Sequence, residues 1–456
     1  MRGVAVRRMT SSIVSVDRRG LGRVGYAELT EDLRLLKEPE TPLGAELASQ
    51  IKARGPVTVH EYMRQCLLHP RHGYYARPGA ERVIGKDGDF ITAPEVSQLF
   101  GELVGVWLVS EWLSLGKPSP ARVVEVGPGR GTLMADVLQA TTSWPEFRQA
   151  VRVEMVEASP SLRTAQQLRL GARPLADRGR TWRLPDHDRF GTSVRWHESL
   201  RDLDDEPFPC LLVAQELLDA MPAHQFVKTP SGWREKLVDV DDTDDSAHHF
   251  RFVLAPSPTP ASRALTLSSY LAAYDSSNCD DATIEVSPTA LATVDDVARR
   301  VARHSGAALF VDYGKTTCLG DTLRAFKRHA QVMPLGDPGL VDLTVDADFA
   351  ACAKQAALVD GARVYGPIDQ GEWLGRMGIA HRLEALLNND AITDTQVDHL
   401  ITACERLCDP AQMGGRYKVL AIAHSKTHAL GLEAPAGFRP DESVSPPPDP
   451  LSVISP

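Results

Sequence analysis

No run of about 18 apolar residues occurs anywhere in the chain, so the sequence offers no candidate for a membrane-spanning helix. The best stretch, Leu99 to Leu115, is too short and carries Glu102 and Glu111. An excess of positive charge is missing as well. Lys+Arg is 50 against Asp+Glu 60, a formal charge of −10, which argues against a general nucleic-acid binder because such a protein needs a basic face to displace counterions. The seven cysteines (Cys66, Cys210, Cys279, Cys318, Cys352, Cys404, Cys408) are odd in number and scattered, and none forms a CxxC. Cys404 and Cys408 have no second pair or histidine nearby, so neither a disulfide framework nor a metal site is expected, and the thiols read as reduced and mostly buried in a reducing compartment. No internal repeat of 20–50 residues is visible.

Acids are nearly absent from residues 1–25, where Asp17 stands alone among Arg2, Arg7, Arg8, Arg18, Arg19 and Arg23 with interspersed serines and no long apolar core. That is the composition of an organellar transit peptide, and residues 1–42 are assigned to it. Large apolar residues are scarce at the other end, where 425–456 holds seven prolines including Pro446-Pro447-Pro448. Such a segment buries too little surface to offset its ordering entropy and is expected to be disordered.

What is present is a long, core-forming middle. The chain has 456 residues, 43% hydrophobic and 24% charged, enough for two or three folding units or one enlarged α/β domain. Thr58-Val59-His60-Glu61 has the form of a capping box opening a helix that Pro70 stops. Thr92-Ala93-Pro94-Glu95 has the same form, opening one helix to about Leu115, apolar nearly all round and therefore buried. These define an N-terminal helical region, 43–118. From 119 to 424 strands alternate with helices: Ala121–Val126, Val151–Glu157, Val194–Trp196, Leu211–Ala214, Ile284–Val286, Ala307–Val311 and Tyr417–Ala423. Alternation of this kind implies an α/β fold with a doubly wound, mostly parallel, Rossmann-like sheet. An acidic stretch, about 239–281, interrupts it as an insertion, with one strand expected at Phe250–Leu254.

The first chemistry lies in Glu125-Val126-Gly127-Pro128-Gly129-Arg130-Gly131, between an apolar strand and a helix. Glycines allow a tight turn and close backbone approach to a ligand. A dinucleotide fingerprint is GxGxxG, but position 132 is Thr, which disfavours a nucleotide-dependent oxidoreductase. The spacing is ExGxGxG and resembles the first motif of class I S-adenosylmethionine (SAM) methyltransferases. That ligand carries a sulfonium and an ammonium but no pyrophosphate, so it needs acids near the loop. Glu125, Gly127, Gly129 and Gly131 are the candidate cofactor residues, with Glu157, at the end of the next strand, for the ribose hydroxyls. Acids also end three later strands: Glu216 and Asp219 after Leu211–Ala214, Glu285 before Ser287-Pro288, and Asp312 after Ala307–Val311. Taken singly each suits a cap or a loop; ending three strands, they suit a converging acceptor site beyond the sheet. The segment Gly88–Glu95, ahead of the sheet, could cover the substrate, although Asp89 and Phe90 read better as turn and packing residues.

Several segments together are similar to one family: Gly55-Pro-Val-Thr-Val-His-Glu-Tyr-Met, His72-Gly-Tyr-Tyr, Gly88–Glu102, Val124–Leu133, Val311-Asp-Tyr-Gly, Asp342-Leu-Thr-Val-Asp-Ala-Asp-Phe and Met413-Gly-Gly-Arg-Tyr-Lys-Val-Leu. The chain resembles the MidA-like SAM-dependent methyltransferases from about Leu43 to Ala423. The mitochondrial members of that family are complex I assembly factors with protein arginine methyltransferase activity. The resemblance implies symmetric dimethylation of an arginine on the 49-kDa subunit of respiratory complex I, in the mitochondrial matrix, with SAM as donor. Glu216 and Asp219 fall on the family's Asn-Glu-Phe-Phe-Asp-Ala-Leu-Pro-like signature, from which this chain departs with Gln215 and with Leu217-Leu218. A SAM-fold assembly chaperone that needs no catalysis is the competing reading. Retention of every loop glycine and of Glu157 weighs against it.

A guanidinium is a poor nucleophile, with a pKa above ~12 and delocalised lone pairs. A carboxylate pair grips it, aims one nitrogen and takes its proton. Glu216 and Asp219 lead for that role, with Glu285 and Asp312 behind them.

Overall fold

The Ala121–Val126 and Cys210–Gln215 strands are buried at every position, as strands covered by helices on both faces must be. Period-two alternation divides their side chains between two cores. Val123, Leu211, Val213, Leu309 and Val311 face one layer with Trp107 and Trp112. Val124, Val126, Leu212, Ala214 and Phe310 face the other, with Val294, Val297 and Val301 of the Pro288–His304 helix. The computed structural model from which these contacts are taken describes residues 40–85, 88–175, 181–184, 190–243, 248–267, 282–316, 320–389, 391–425 and 433–444. The proposed transit segment therefore lies almost wholly outside the described residues.

The central sheet places Ala121–Val126 between Val151–Val156 and Cys210–Gln215, all parallel, with Ser193–His197 and Ala307–Lys315 extending it parallel on either side. Tyr417–His424 and Ala362–Asp369 add antiparallel beyond Ala307–Lys315. Strand order reverses at Ala121–Val126, so the crevice outside its carboxyl end is the topological switch point where ligands bind in open α/β sheets. The doubly wound α/β expectation holds.

One strand belongs elsewhere. Thr283–Val286 pairs antiparallel with His224–Thr229 in a second sheet, which continues through Gly232–Val240 to Val57–Thr58 and Phe250–Leu254. The strand expected at Phe250–Leu254 is present, with Phe250 buried against Val238, so the first part of the acidic insertion is built into this sheet. The Pro42–Arg54 and Val59–Leu68 helices pack on the same core through Leu43, Leu47, Tyr62 and Met63.

Local expectations fail in three places. At Thr58 the side chain accepts from the Glu61 amide at 3.0 Å, but the Glu61 carboxylate turns to Arg64 and Gln65, so only half of the box forms. The helix expected from Thr92 to Leu115 breaks: Ala93–Val96 is a short turn, Ser97 is extended, and Gln98–Ser114 starts afresh with Ser97 as its cap. Lastly, the disordered tail is corrected for 433–444. Ser443–Val444 pairs with Ala362–Asp369, Phe438 is buried, the Ala436 amide donates to Glu111 at 2.9 Å, and Arg376 grips both oxygens of Glu442.

Candidate active site

The glycine turn follows Val126 at the switch point. Gly127, Gly129 and Gly131 take φ of 68°, 53° and 78°, a left-handed region that residues with a Cβ avoid. Space is short as well: a Cβ on Gly127 would sit 2.8 Å from Cδ1 of Leu217. The Gly127 amide donates to the Val156 carbonyl, and Gly131 opens the Thr132–Ala140 helix. Gln166 ties the turn to the next strand, its Nε2 donating to the Gly129 carbonyl at 2.8 Å and to Glu157 at 3.2 Å. Trp196 donates to its Oε1 in turn.

Glu125 is buried within its strand, and its Oε2 has no hydrogen-bond partner. Burial, with Asp136 and Glu157 nearby, holds its carboxyl well above the usual range. Glu157 accepts from the Ser159 amide at 2.7 Å, and burial pushes it up to about 7. Glu125 is an acceptor short of a donor and Glu157 a carboxyl held by Ser159 and Gln166, and both line the same space as a turn into which no Cβ intrudes. A cationic ligand with hydroxyl groups fits that set.

Across the cavity, Glu216 directly follows the Cys210–Gln215 strand with φ 48°, which is uncommon for a residue with a Cβ and typical of functional turns. Its amide donates to the Val311 carbonyl, and its Oε1 accepts from the Ala93 amide at 3.1 Å and from Gln215 at 2.9 Å. Burial and the neighbouring Asp219 push it up to about 8, although hydrogen bonds from Ala93, Gln215 and Tyr417 pull the other way. Asp219 accepts from Thr344 at 2.8 Å on Oδ2, while its Oδ1 is buried with no partner.

Asp312 stands behind these two and does not line the cavity. Its Oδ2 accepts from the amides of Leu218 and Asp219 at 2.7 and 3.2 Å. Burial and the charges of Asp219 and Glu216 hold it well above the carboxylate range. Glu216, Asp219 and Asp312 thus converge. Glu285 does not: it lies in the second sheet and accepts from Gln225 at 2.7 Å and from the Thr322 amide and hydroxyl. Its expected place beside the acceptor is corrected to a buried brace.

Sequence reasoning missed a further acid. Asp342 lines the cavity, accepts from the Tyr75 hydroxyl at 2.8 Å, and is raised by burial and by Asp219. The signal was available, because Tyr75, Asp342 and Tyr417 all lie in segments that carried the family resemblance. Glu95, read as a cap, instead accepts from the Thr132 hydroxyl at 2.5 Å beside the glycine turn. Asp89 accepts from the Tyr74 hydroxyl and the Arg328 amide, and Phe90 packs on the adjoining core, yet both also line the cavity.

The cavity between the glycine turn and the acids is about 1720 Å³. A single small-molecule site takes roughly 300–1,000 Å³, so a cofactor leaves room for a second reactant. Among the described residues no group of His, Cys, Asp and Glu could hold a metal ion, and no helix is long and apolar enough to cross a membrane.

Residues 103–368 match a family model of S-adenosyl-L-methionine-dependent methyltransferases. The chain is 39% identical over 430 residues to the mitochondrial protein arginine methyltransferase NDUFAF7 homolog of Drosophila melanogaster, covering 90% of this chain and 93% of that one. With the Homo sapiens mitochondrial protein arginine methyltransferase NDUFAF7 it shares 36% over 392 residues, 85% of this chain and 84% of the other. A Burkholderia thailandensis protein crystallised with S-adenosyl-homocysteine superposes with a TM-score of 0.69 at 27% identity, over 89% of this chain and 99% of that one.

Proposed function

This chain belongs to the S-adenosyl-L-methionine-dependent methyltransferase family, and from that premise we propose that it methylates an arginine side chain of a protein substrate, gripped by Glu216 and Asp219. The observation that carries the arginine assignment is the buried, unpartnered Oδ1 of Asp219, with Glu216 and Asp342 beside it, on the wall facing the glycine turn. Carboxyls pushed up by burial and by one another want a cation among them.

When bound, S-adenosyl-L-methionine supplies an electrophilic methyl group on a sulfonium. Gly127, Gly129 and Gly131 let the backbone close on it, Glu125 offers a free acceptor, and Glu157 takes its ribose hydroxyls. On the acceptor side, two carboxylates fix a planar guanidinium and aim one nitrogen, which replaces much of the entropy cost of the encounter. Asp312 is a positioning residue, fixing the Leu218–Asp219 main chain from behind. As the nitrogen is alkylated its proton must leave, and Glu216, ionised by the guanidinium it grips and with a proton affinity raised by burial, receives it.

The finer reading rests on the family resemblance and on the relatives' mitochondrial names. It is symmetric dimethylation of an arginine on the 49-kDa subunit of respiratory complex I, in the mitochondrial matrix, supporting assembly of that complex. The arginine-rich residues 1–25 suit that destination. Incubation of the protein with labelled SAM and the isolated 49-kDa subunit, followed by amino-acid analysis, tests it. Label in symmetric dimethylarginine is expected. Label in another residue type overturns the arginine assignment, and binding of the subunit without transfer favours the chaperone reading.

A further inference from the structure

The cations around the cavity are not treated alike. Arg163 pairs with Glu198 at 3.1 Å, Lys315 and Arg324 share Asp346, and Lys418 pairs with Asp369 at 2.6 Å. Arg130, on the glycine turn, is half-buried and donates to the Ile84 carbonyl. Arg406 and Arg416 also line the cavity, and they differ from the rest. Both are exposed, and among the described residues neither has an ion-pair or hydrogen-bond partner for its guanidinium.

Their placement ties them to the acceptor acids. Arg406 lies in the last turn of the Asp394–Cys408 helix, and Arg416 ends the Met413–Arg416 turn that packs beside it. The residue after Arg416 is Tyr417, whose phenol is held well above its ordinary range by burial and by the neighbouring Glu216. Two unneutralised cations therefore sit at the mouth of a cavity floored with carboxyls, in a chain of net charge −10.

We infer that Arg406 and Arg416 form a subsite for a carboxylate of the protein substrate, so that the preferred acceptor is an arginine flanked by Asp or Glu. This rests on the arginine methyltransferase reading and deepens it. The acceptor guanidinium goes inward to Glu216 and Asp219, while an acid a few residues along the same chain meets the two arginines outside. The same pair repels basic flanks, so arginines in Lys/Arg-rich stretches are rejected by charge rather than by shape.

The test uses three peptides with one arginine and identical length, flanked by Glu, by Ala or by Lys, assayed with the full chain at saturating SAM. The wild type is expected to rank them Glu over Ala over Lys. About 3- to 30-fold in kcat/KM should separate neighbours, carried by KM and shrinking at high salt, the range for two exposed ion pairs. Arg406→Glu/Arg416→Glu should reverse the order, and Arg406→Ala/Arg416→Ala should level it. Both variants should keep the wild-type kcat on the Ala-flanked peptide and the wild-type affinity for S-adenosyl-homocysteine. Equal use of the three peptides by the wild type, or an order that survives charge reversal, overturns the subsite while leaving arginine methylation standing. No transfer to any of them, with S-adenosyl-homocysteine bound normally, removes the arginine reading and the subsite together.

Discussion

Asp312 holds Asp219 by its main chain: Oδ2 of the first accepts the amide of the second at 3.2 Å, and that of Leu218 at 2.7 Å. One parallel strand thereby fixes the loop after its neighbour, and Asp219 need not spend its own carboxylate on holding position. That separation of roles orders the expected effects of substitution.

Glu216→Gln and Asp219→Asn are each expected to lower kcat by ~10²–10⁴, the usual weight of a positioned acid–base group, with S-adenosyl-homocysteine affinity little changed. Asp312→Ala should cost both kcat and thermal stability, because it leaves the Leu218 and Asp219 amides without their acceptor. Steady-state kinetics paired with calorimetry separates these patterns, and wild-type transfer by both Glu216→Gln and Asp219→Asn would falsify the acceptor assignment.

Gly127→Ala meets Leu217 at 2.8 Å and must also hold φ 68°. Left-handed strain of roughly 1–2 kcal/mol alone is worth about tenfold, so S-adenosyl-homocysteine should bind at least that much more weakly. Removing the obstacle in Gly127→Ala/Leu217→Ala should restore part of the loss. If titration calorimetry shows both variants binding like wild type, the turn is not where the donor docks.

Folded protein without ligand should lose stability as pH rises. Glu216 is pushed from 4.5 up to about 8 and Glu157 up to about 7, so between pH ~5 and ~8 the native state keeps protons that the unfolded chain has released. Holding more protons when folded makes the unfolding free energy fall with pH across that window. Melting temperature measured across it is expected to decline, less steeply in Glu216→Gln. Identical slopes in the two proteins would show that Glu216 titrates normally.

Glu285→Ala should behave as a packing change. It takes the acceptor from the Thr322 amide in the interior and leaves Gln225 with Asp321 alone, at a cost of about 1–3 kcal/mol. Chemical denaturation should report that loss while kcat and KM stay within about twofold, well short of the tenfold that 1.4 kcal/mol represents. A drop in kcat like that of Asp219→Asn would return Glu285 to the active site.

SAM should raise the melting temperature where NAD does not. A ligand at 100 times its Kd adds ~2.7 kcal/mol to the folded state, easily seen in a thermal scan. Equal shifts with both would mean that the turn accepts a pyrophosphate after all.

The glycine turn, the parallel strands and Glu157 were legible because each is written locally: a β-branched run, a turn, an acid at the strand end. Phe250–Leu254 was legible for the same reason. Which sheet a strand joins is not written locally. Thr283–Val286 looks like any other short buried strand, but its partner is His224–Thr229, and Glu285 went astray with it. Asp342 and Tyr75 meet across 267 positions, a pairing no spacing rule reaches. Thr92–Glu95 has the letters of a capping box, yet the Glu95 carboxylate finds Thr132 rather than its own backbone.

One practical hazard follows from Ser443–Val444. Anyone trimming the proline-rich end back to Ser425 would bare the outer rim of Ala362–Asp369, a ladder of unanswered amides and carbonyls that invites a second molecule to zip on. By the same cut Glu111 would lose the Ala436 amide, and Arg376 would lose Glu442 and keep only Glu372. The shortened chain is expected to clump during purification, and such failure would say nothing about its chemistry.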